Sequence, residues 1–183
     1  LSNITFGINS NEKVCVVTDS SVSSNVLFHL IVGLCETDQG NVSINGLPLE
    51  NLNKEFLREQ IGAVVDQDLL IFGNLIDNIS FGRNHIDLKR IEEEVSELEL
   101  KTFIQALPEK YLSVLNADIQ FIPRDVARKI LIARAMIGDP SLLLLEEPTA
   151  GLTFNQKNTV LNRIFKNDNV TVLVASTDPA VIE

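Results

Sequence analysis

Three short and almost wholly apolar runs constrain the fold of this chain more than any other feature of its sequence. They cover residues 14–17, 141–145 and 170–175, and stretches with helical patterning stand beside them. Runs of this length and character are typical of strands that are buried on both faces. Buried strands that alternate with helices predict an α/β fold with a mostly parallel core sheet flanked by helices.

A small antiparallel β portion is predicted in the first quarter of the chain. Residues 4–8 and 41–45 have the pattern of half-buried strands. The second run ends in Asn45-Gly46, a pair that is typical of tight hairpin turns.

Two helical regions complete the predicted outline. A polar loop at 18–25 is followed by a helix-like run that starts at Val26. Residues from about 74 to 138 are helical in pattern almost throughout, with Asp87 as the N-cap of a helix that starts at Leu88. We therefore predict a helical subdomain at about 74–138, inserted in a single domain that spans residues 1–183.

The charge balance excludes one class of partner. Acidic residues outnumber basic ones by 25 to 15, which gives a formal net charge of −10. Because nucleic-acid backbones require a basic surface, we expect no nucleic-acid partner. No run approaches the ~18 apolar residues that a membrane helix needs. The chain starts at Leu1 and stops at Glu183, where a new helix is starting, so we expect a fragment truncated at both ends.

Five segments together resemble one family. Residues 142–152 read Leu-Leu-Leu-Leu-Glu-Glu-Pro-Thr-Ala-Gly-Leu, which closely resembles the Walker B strand and D-loop of ATP-binding cassette (ABC) ATPases. Four further segments match that family in the same order along the chain, at residues 40–46, 57–62, 78–82 and 130–140. A single motif would carry little weight, whereas five in order are specific.

The resemblance implies the nucleotide-binding domain of an exporter-like ABC transporter, with a P-loop NTPase-like fold and Mg·ATP as its ligand. It also implies two partners, namely the transmembrane domain of a transporter and a second nucleotide-binding domain, in a homo- or heterodimer. The implied location is the cytoplasmic side of a membrane, as part of a membrane-bound transporter.

The family's phosphate-binding loop aligns with residues that lack its diagnostic side chains. The aligned residues are Thr18, Asp19, Ser20, Ser21, Val22, Ser23, Ser24, Asn25 and Val26. A working loop needs a lysine for the outer phosphates and a hydroxyl for Mg²⁺, but Ser24 stands at the lysine and Asn25 and Val26 stand at the hydroxyl pair. These two losses are worth ~3–6 kcal/mol together, so we expect ATP affinity to fall by about two to four powers of ten.

The glycine positions of the loop are altered as well. Thr18, Ser21 and Ser23 stand where the family has glycines, and a non-glycine residue at positive φ costs roughly 1–2 kcal/mol. Asp19 adds a negative charge, and no Lys or Arg occurs between residues 18 and 32. We therefore expect weak or absent ATP binding, although the start of the following helix still favours an anion.

Two further nucleotide-facing motifs depart from the family. Its Leu-Ser-Gly-Gly-Gln signature aligns with Ile122, Pro123, Arg124, Asp125 and Val126. Pro123 is compatible with a helix start, but Asp125 brings a carboxylate to the place where a phosphate would lie.

The family's Q-loop glutamine has two possible registers. Counting back from residue 78 without a gap places Asp66 there, and a shift of one residue places Gln67 there.

The end of the Walker B strand retains two carboxylates. Glu146 stands at the Mg²⁺ position, where the family has aspartate, and Glu147 stands at the general base. Thr153 replaces the D-loop aspartate, and Thr177 replaces the switch histidine that senses the γ-phosphate. Glu147 is the one intact catalytic candidate, and a carboxylate retained for local hydrogen bonding is its alternative interpretation.

Three functional hypotheses follow from these positions. The first is a degenerate cassette with a structural or regulatory role in a transporter, and it is the one that we favour. The second is a functional ATPase subunit that powers transport. The third is a cassette fold reused as a protein-binding module outside transport.

Overall fold

A computed structural model describes residues 2–18, 21–65, 69–115 and 122–182. The strands are β1 (Lys13–Val16), β2 (Ser43–Ile44), β3 (Leu47–Pro48), β4 (Ile61–Val64), β5 (Gly73–Asn74), β6 (Val114–Leu115), β7 (Leu142–Glu146) and β8 (Thr171–Ala175). The helices are α1 (Ser21–Ile31), α2 (Lys54–Glu59), α3 (Leu75–Ser80), α4 (Leu88–Glu97), α5 (Lys101–Ala106), α6 (Arg124–Met136), α7 (Phe154–Phe165) and α8 (Pro179–Ile182).

Four parallel strands form the core sheet in the order β1-β8-β7-β4. One row of residues crosses it from Val14 through Leu173 and Leu144 to Ala63. Two short antiparallel pairs, β2–β3 and β5–β6, lie outside this sheet. The prediction of an α/β fold with a mostly parallel core and a small antiparallel portion is therefore confirmed.

The two faces of the core sheet bury alternate residues against different helices. Leu144 and Leu173 pack with Phe28 of α1 and Leu57 of α2. Their neighbours in sequence on β7 and β8 pack on the opposite face against α3, α4, α6 and α7. A strand that is covered on both faces must be apolar at every position, which is why these runs were recognisable in the sequence.

A glycine sets the distance between α6 and the sheet. A β-carbon added to Gly62 of β4 would lie 2.0 Å from the carbonyl oxygen of Ala135 and 2.8 Å from Leu143 Cδ2. Both distances are shorter than any real contact, so only glycine permits this approach.

The structure corrects two predictions about the first third of the chain. Residues 4–8 form no strand, and Ile4 and Phe6 are 52% and 50% exposed, because no neighbouring strand among the described residues supplies a ladder of hydrogen bonds. Helix α1 begins at Ser21, not at Val26. Serine in a helix costs only a few tenths of a kcal/mol, and tertiary contacts readily override that cost.

Other local predictions hold. The β2–β3 hairpin turns at Asn45 and Gly46, which have φ values of 52° and 77°. Asp87 caps α4, since its Oδ1 accepts a hydrogen bond of 2.8 Å from the Arg90 amide.

Residues 75–136, here called the helical segment, contain α3, α4, α5 and α6 together with strand β6. The predicted almost continuous helix is therefore interrupted by a strand that pairs with β5. None of the helices in the described ranges combines the length and the apolar character needed to cross a lipid bilayer.

Candidate functional site

The carboxyl ends of β1, β7 and β8 bring three loops together at one edge of the core sheet. The Glu147 amide donates to the Ala175 carbonyl at 2.8 Å, and the Ser176 amide donates to the Val16 carbonyl at 3.2 Å. Loops at this edge are the usual location of ligands in open α/β sheets. The residues predicted from the phosphate-binding loop, from Walker B and from the switch position thus meet at one place.

The phosphate-loop residues fall into three groups. Asp19 and Ser20 lie outside the described residues, whereas Ser21 and Val22 form the start of α1. Thr18 and Ser23 are half-buried, and Val26 is 38% exposed. Among the loop residues whose burial the structure describes, Ser24 is the one that is fully buried, with 2% exposure.

Ser24 and Glu146 are joined by a short hydrogen bond. Ser24 Oγ donates to Glu146 Oε1 at 2.5 Å, and Glu146 is only 1% exposed. A buried carboxylate is costly unless donors surround it, so this hydroxyl helps to stabilise it. The residue at the family's lysine position therefore binds the residue at its Mg²⁺ position.

Asn25, next to Ser24, has a buried side-chain oxygen. Within the described part of the chain, Asn25 Oδ1 has no hydrogen-bond partner. A buried oxygen without a donor costs about 1–3 kcal/mol. It is also an atom that could contribute one oxygen to a divalent cation.

Glu147 is held by the loop that follows β8. Its carboxylate accepts hydrogen bonds from Ser176 Oγ at 2.8 Å, from the Thr177 amide at 2.9 Å and from Thr177 Oγ1 at 3.3 Å. The Glu147 backbone has a φ of 42°, a left-handed conformation that costs a non-glycine residue roughly 1–2 kcal/mol. The base position and the switch position are therefore in direct contact.

A second set of contacts lies beside Glu147. Thr149 Oγ1 donates to Asp178 Oδ2 at 2.6 Å, and Lys157 Nζ lies 2.6 Å from the same oxygen. The hydrogen bond from Lys157, and then the one from Thr149, lower the pKa of Asp178 below its ordinary value. These contacts join the loop after β7 to the loop after β8.

The signature position is bound to the D-loop position through Gln156. Helix α6 begins at Arg124 after Pro123, as expected. Asp125 Oδ2 accepts a hydrogen bond of 2.6 Å from Gln156 Nε2, while Gln156 Oε1 accepts from the Thr153 amide at 2.9 Å and from Thr153 Oγ1 at 3.0 Å. Asp125 and Thr153 thus contact one shared side chain.

The remaining signature residues and the Q-loop are less informative. Ile122 is half-buried and Val126 is buried in the core. Both candidates for the Q-loop, Asp66 and Gln67, lie outside the described residues.

Two residues of this edge were missed by the sequence reasoning. The first, Gln156, could have been found, because Thr153 followed three residues later by glutamine is a helix-start pattern. No local signal could have revealed Ser176, which is 3% exposed and acts through a contact with a residue 29 positions away.

Comparisons with known proteins agree with this geometry. The family model described as ABC transporter matches residues 1–150. The chain is 28% identical over 177 residues to the ATP-dependent lipid A-core flippase of Saccharophagus degradans, covering 96% of the chain and 30% of that relative. It is 26% identical over 176 residues to the alpha-hemolysin translocation ATP-binding protein HlyB of Escherichia coli O157:H7, covering 94% of the chain and 25% of that relative.

A solved structure shows the same fold. The structure of a bacterial Atm1-family ABC exporter with ATP bound superposes with a TM-score of 0.82 at 20% identity, covering 93% of this chain and 30% of that one. The chain therefore spans less than a third of the length of these relatives. Since the family model covers well over half of its residues, this chain belongs to the ABC transporter family.

Proposed function

We propose that this chain is the cassette domain of an exporter-type transporter, and that it binds and hydrolyses Mg·ATP weakly or not at all. Its role would then be structural or regulatory. The observation that carries this proposal is the buried hydrogen bond between Ser24 and Glu146, which joins the two positions that a phosphate and Mg²⁺ would need.

The described side chains do not fit a bound triphosphate. Mg·ATP needs a cation against its outer phosphates, and the sequence has no Lys or Arg from residue 18 to residue 32. Asn25 Oδ1 is a suitable oxygen for Mg²⁺, but it supplies no positive charge. A Mg²⁺ ion at Glu146 would also have to compete with the Ser24 hydroxyl for the carboxylate.

The same logic applies to the half-site that faces a partner cassette. Asp125 at the signature position places a carboxylate near the start of α6, where it accepts a hydrogen bond from Gln156 of the same chain. A second carboxylate close to a phosphate would repel it. Both halves of the site thus point to weak nucleotide binding.

The partners proposed for this cassette follow from its relatives. The flippase and the hemolysin translocation protein are more than three times as long as the matched region, which leaves room for a transmembrane domain in those proteins. We propose that this chain, with its helical subdomain at about 74–138, docks on such a domain at the cytoplasmic side of a membrane. A second nucleotide-binding domain would be its other partner.

One observation favours a second candidate, a functional ATPase subunit. Glu147 stands at the end of β7 and contacts Thr177 at the switch position, so a carboxylate is fixed near the place where a water would be activated. In a heterodimer with an intact partner neither composite site would be complete, but the phosphate-binding loop of the partner would still bind ATP. Nucleotide affinity separates the two candidates.

Calorimetric titration of the purified chain with Mg·ATP tests the proposal directly. We expect a dissociation constant of about 1 mM or weaker and no rise in melting temperature, because the losses in the loop amount to ~3–6 kcal/mol. A sub-millimolar dissociation constant would contradict the proposal and support the ATPase.

A pair of lysine variants sharpens this test. Ser24→Lys restores a cation at the lysine position and should improve affinity by at least about tenfold, since a charge-assisted contact is worth ~1.5–3 kcal/mol. Ser23→Lys adds the same charge one residue away on α1 and should leave affinity nearly unchanged. Equal gains in both variants would show that net charge, not position, limits binding.

A further inference from the structure

Two helices that are far apart in sequence are joined by a ladder of ion pairs, here called the α4–α7 seam. Its first rung is Glu94 of α4 with Arg163 of α7, and its second rung is Glu97 of α4 with Lys166, the residue directly after α7. The two ion pairs are three residues apart in sequence on both sides, so they lie one turn apart along the facing sides of the two helices.

The first rung is buried and geometrically complete. Glu94 is 0% exposed, and its two carboxylate oxygens accept from Arg163 Nε at 2.9 Å and from Arg163 Nη2 at 2.6 Å. Such a bidentate pair fixes the orientation of both side chains, which a single contact does not. Arg90 adds a third donor at 3.1 Å and reaches Asp139, before β7, at 2.9 Å.

The second rung lies at the surface and is weaker. Lys166 Nζ is 2.8 Å from Glu97 Oε1, and the two side chains are 62% and 44% exposed. Beneath the rungs, Ile91 and Val95 of α4 belong to the same fully buried cluster as Val160 and Ile164 of α7. The two helices therefore both contribute to this apolar cluster and are joined by ion pairs at its border.

Helix α7 connects the seam to the loop that follows β7. This helix starts at Phe154, directly after the loop that carries Glu147, Thr149 and Thr153. Its partner α4 lies in the helical segment, more than fifty residues earlier in the chain.

We propose that the seam makes α4 and α7 a single mechanical unit, so that a displacement of the loop after β7 is carried through α7 to the helical segment. This property is independent of nucleotide affinity and would hold for an active or an inactive cassette. Two helices joined by a bidentate ion pair move together because sliding would separate the part-buried Arg163 from its carboxylate and leave Glu94 with Arg90 alone.

Hydrogen exchange of the purified chain, followed by mass spectrometry, tests this coupling. Glu94→Gln removes the charge that holds both guanidinium groups, and we expect exchange in α4 and in α7 to accelerate together by about tenfold or more. Helix α1, which packs on the opposite face of the sheet, should change by less than about twofold. Acceleration confined to α4 would overturn the proposal.

The exposed rung provides a second test that does not put the fold at risk. Lys166→Glu should accelerate exchange in α4, and Glu97→Lys should accelerate it in α7, each by about two- to fivefold. The double swap recreates the pair with reversed charges and should return both helices to within about twofold of the original rates. Glu93→Lys on exposed α4 surface is the matched control and should leave α7 unchanged. If each substitution affects only its own helix, or if the double swap restores neither, α4 and α7 do not move as one unit.

Discussion

Asn78 in the helical segment and Glu146 at the edge of the sheet are both polar and almost inaccessible to solvent, yet their partners are of different kinds. Asn78 donates to the carbonyls of Ile71 and Asn74 at 3.0 Å and accepts from the Ile71 amide at 2.9 Å. Its side chain and backbone also accept from Arg134. These partners are mostly backbone groups whose positions are set by the fold.

The contact of Glu146 with Ser24 is a contact between two side chains from distant parts of the chain. The pair occupies the place where relatives are expected to hold a ligand. The comparison therefore separates a polar residue whose partners are set mainly by the fold, Asn78, from one at the edge of the sheet where ligands usually bind, Glu146.

The packing side of this comparison is tested most severely by Gly62→Ala. The added methyl group would lie 2.0 Å from the Ala135 carbonyl oxygen, and α6 cannot retreat without opening the core. We expect the free energy of unfolding to fall by about 3 kcal/mol or more, measured by urea denaturation. Gly7→Ala is the control, because nothing lies within 4 Å of that position and its stability should stay within about 0.5 kcal/mol. Equal effects at both glycines would mean that the close approach of α6 to β4 is not a constraint on this chain.

The ligand side is tested by Ser24→Ala. Removing the hydroxyl deprives the buried Glu146 carboxylate of a donor, so we expect a loss of about 1–3 kcal/mol of stability. Ser23→Ala, one residue earlier on α1 and only half-buried, should cost less than about 0.5 kcal/mol. If Ser24→Ala were neutral, the hydrogen bond between Ser24 and Glu146 would contribute nothing to the stability of the folded state.

The features that could be predicted from the sequence are those that a local pattern encodes, and the contacts between distant residues could not be predicted. Strands β7 and β8 were recognisable because burial on both faces leaves no polar position, and the cap of α4 at Asp87 was recognisable from local chemistry. The Ser24–Glu146 contact joins residues 122 positions apart, and no local pattern encodes it. The start of α1 at Ser21 was missed for a related reason, since the polar residues of its first turns carry no apolar periodicity.

A smaller effect on stability is expected from a change of pH, through the Asp178 carboxylate in the loop after β8. Lys157 and Thr149 lower the pKa of Asp178 below its ordinary value of 3.8, so the charged form stabilises the folded state. This contribution is complete above pH ~5 and disappears as the pH falls below 3.8 through the lowered pKa. Asp178→Asn should therefore cost up to about 1 kcal/mol at pH 7 and progressively less as the pH is lowered below 3.8, as measured by thermal unfolding. The exposed Asp168→Asn serves as control, and a cost for Asp178→Asn that does not change with pH would rule out the ion pair as its origin.

The smallest effect is expected on phosphate release in Glu147→Gln, a substitution that would have the largest effect in an active cassette. If Glu147 were a general base, Glu147→Gln would abolish phosphate release, because an amide cannot accept the proton of the attacking water. In this chain the carboxylate already accepts from Ser176 and from the amide and hydroxyl of Thr177. The sequence also has no Lys or Arg from residue 18 to residue 32 to position a triphosphate, and positioning supplies most of the rate in phosphoryl transfer. We therefore expect any residual release of phosphate from Mg·ATP to stay within about twofold in Glu147→Gln and in the exposed control Glu93→Gln.

Stability should fall by about 1 kcal/mol in Glu147→Gln alone, since glutamine cannot accept all three hydrogen bonds. A loss of phosphate release confined to Glu147→Gln would contradict this expectation and show that Glu147 acts as a general base.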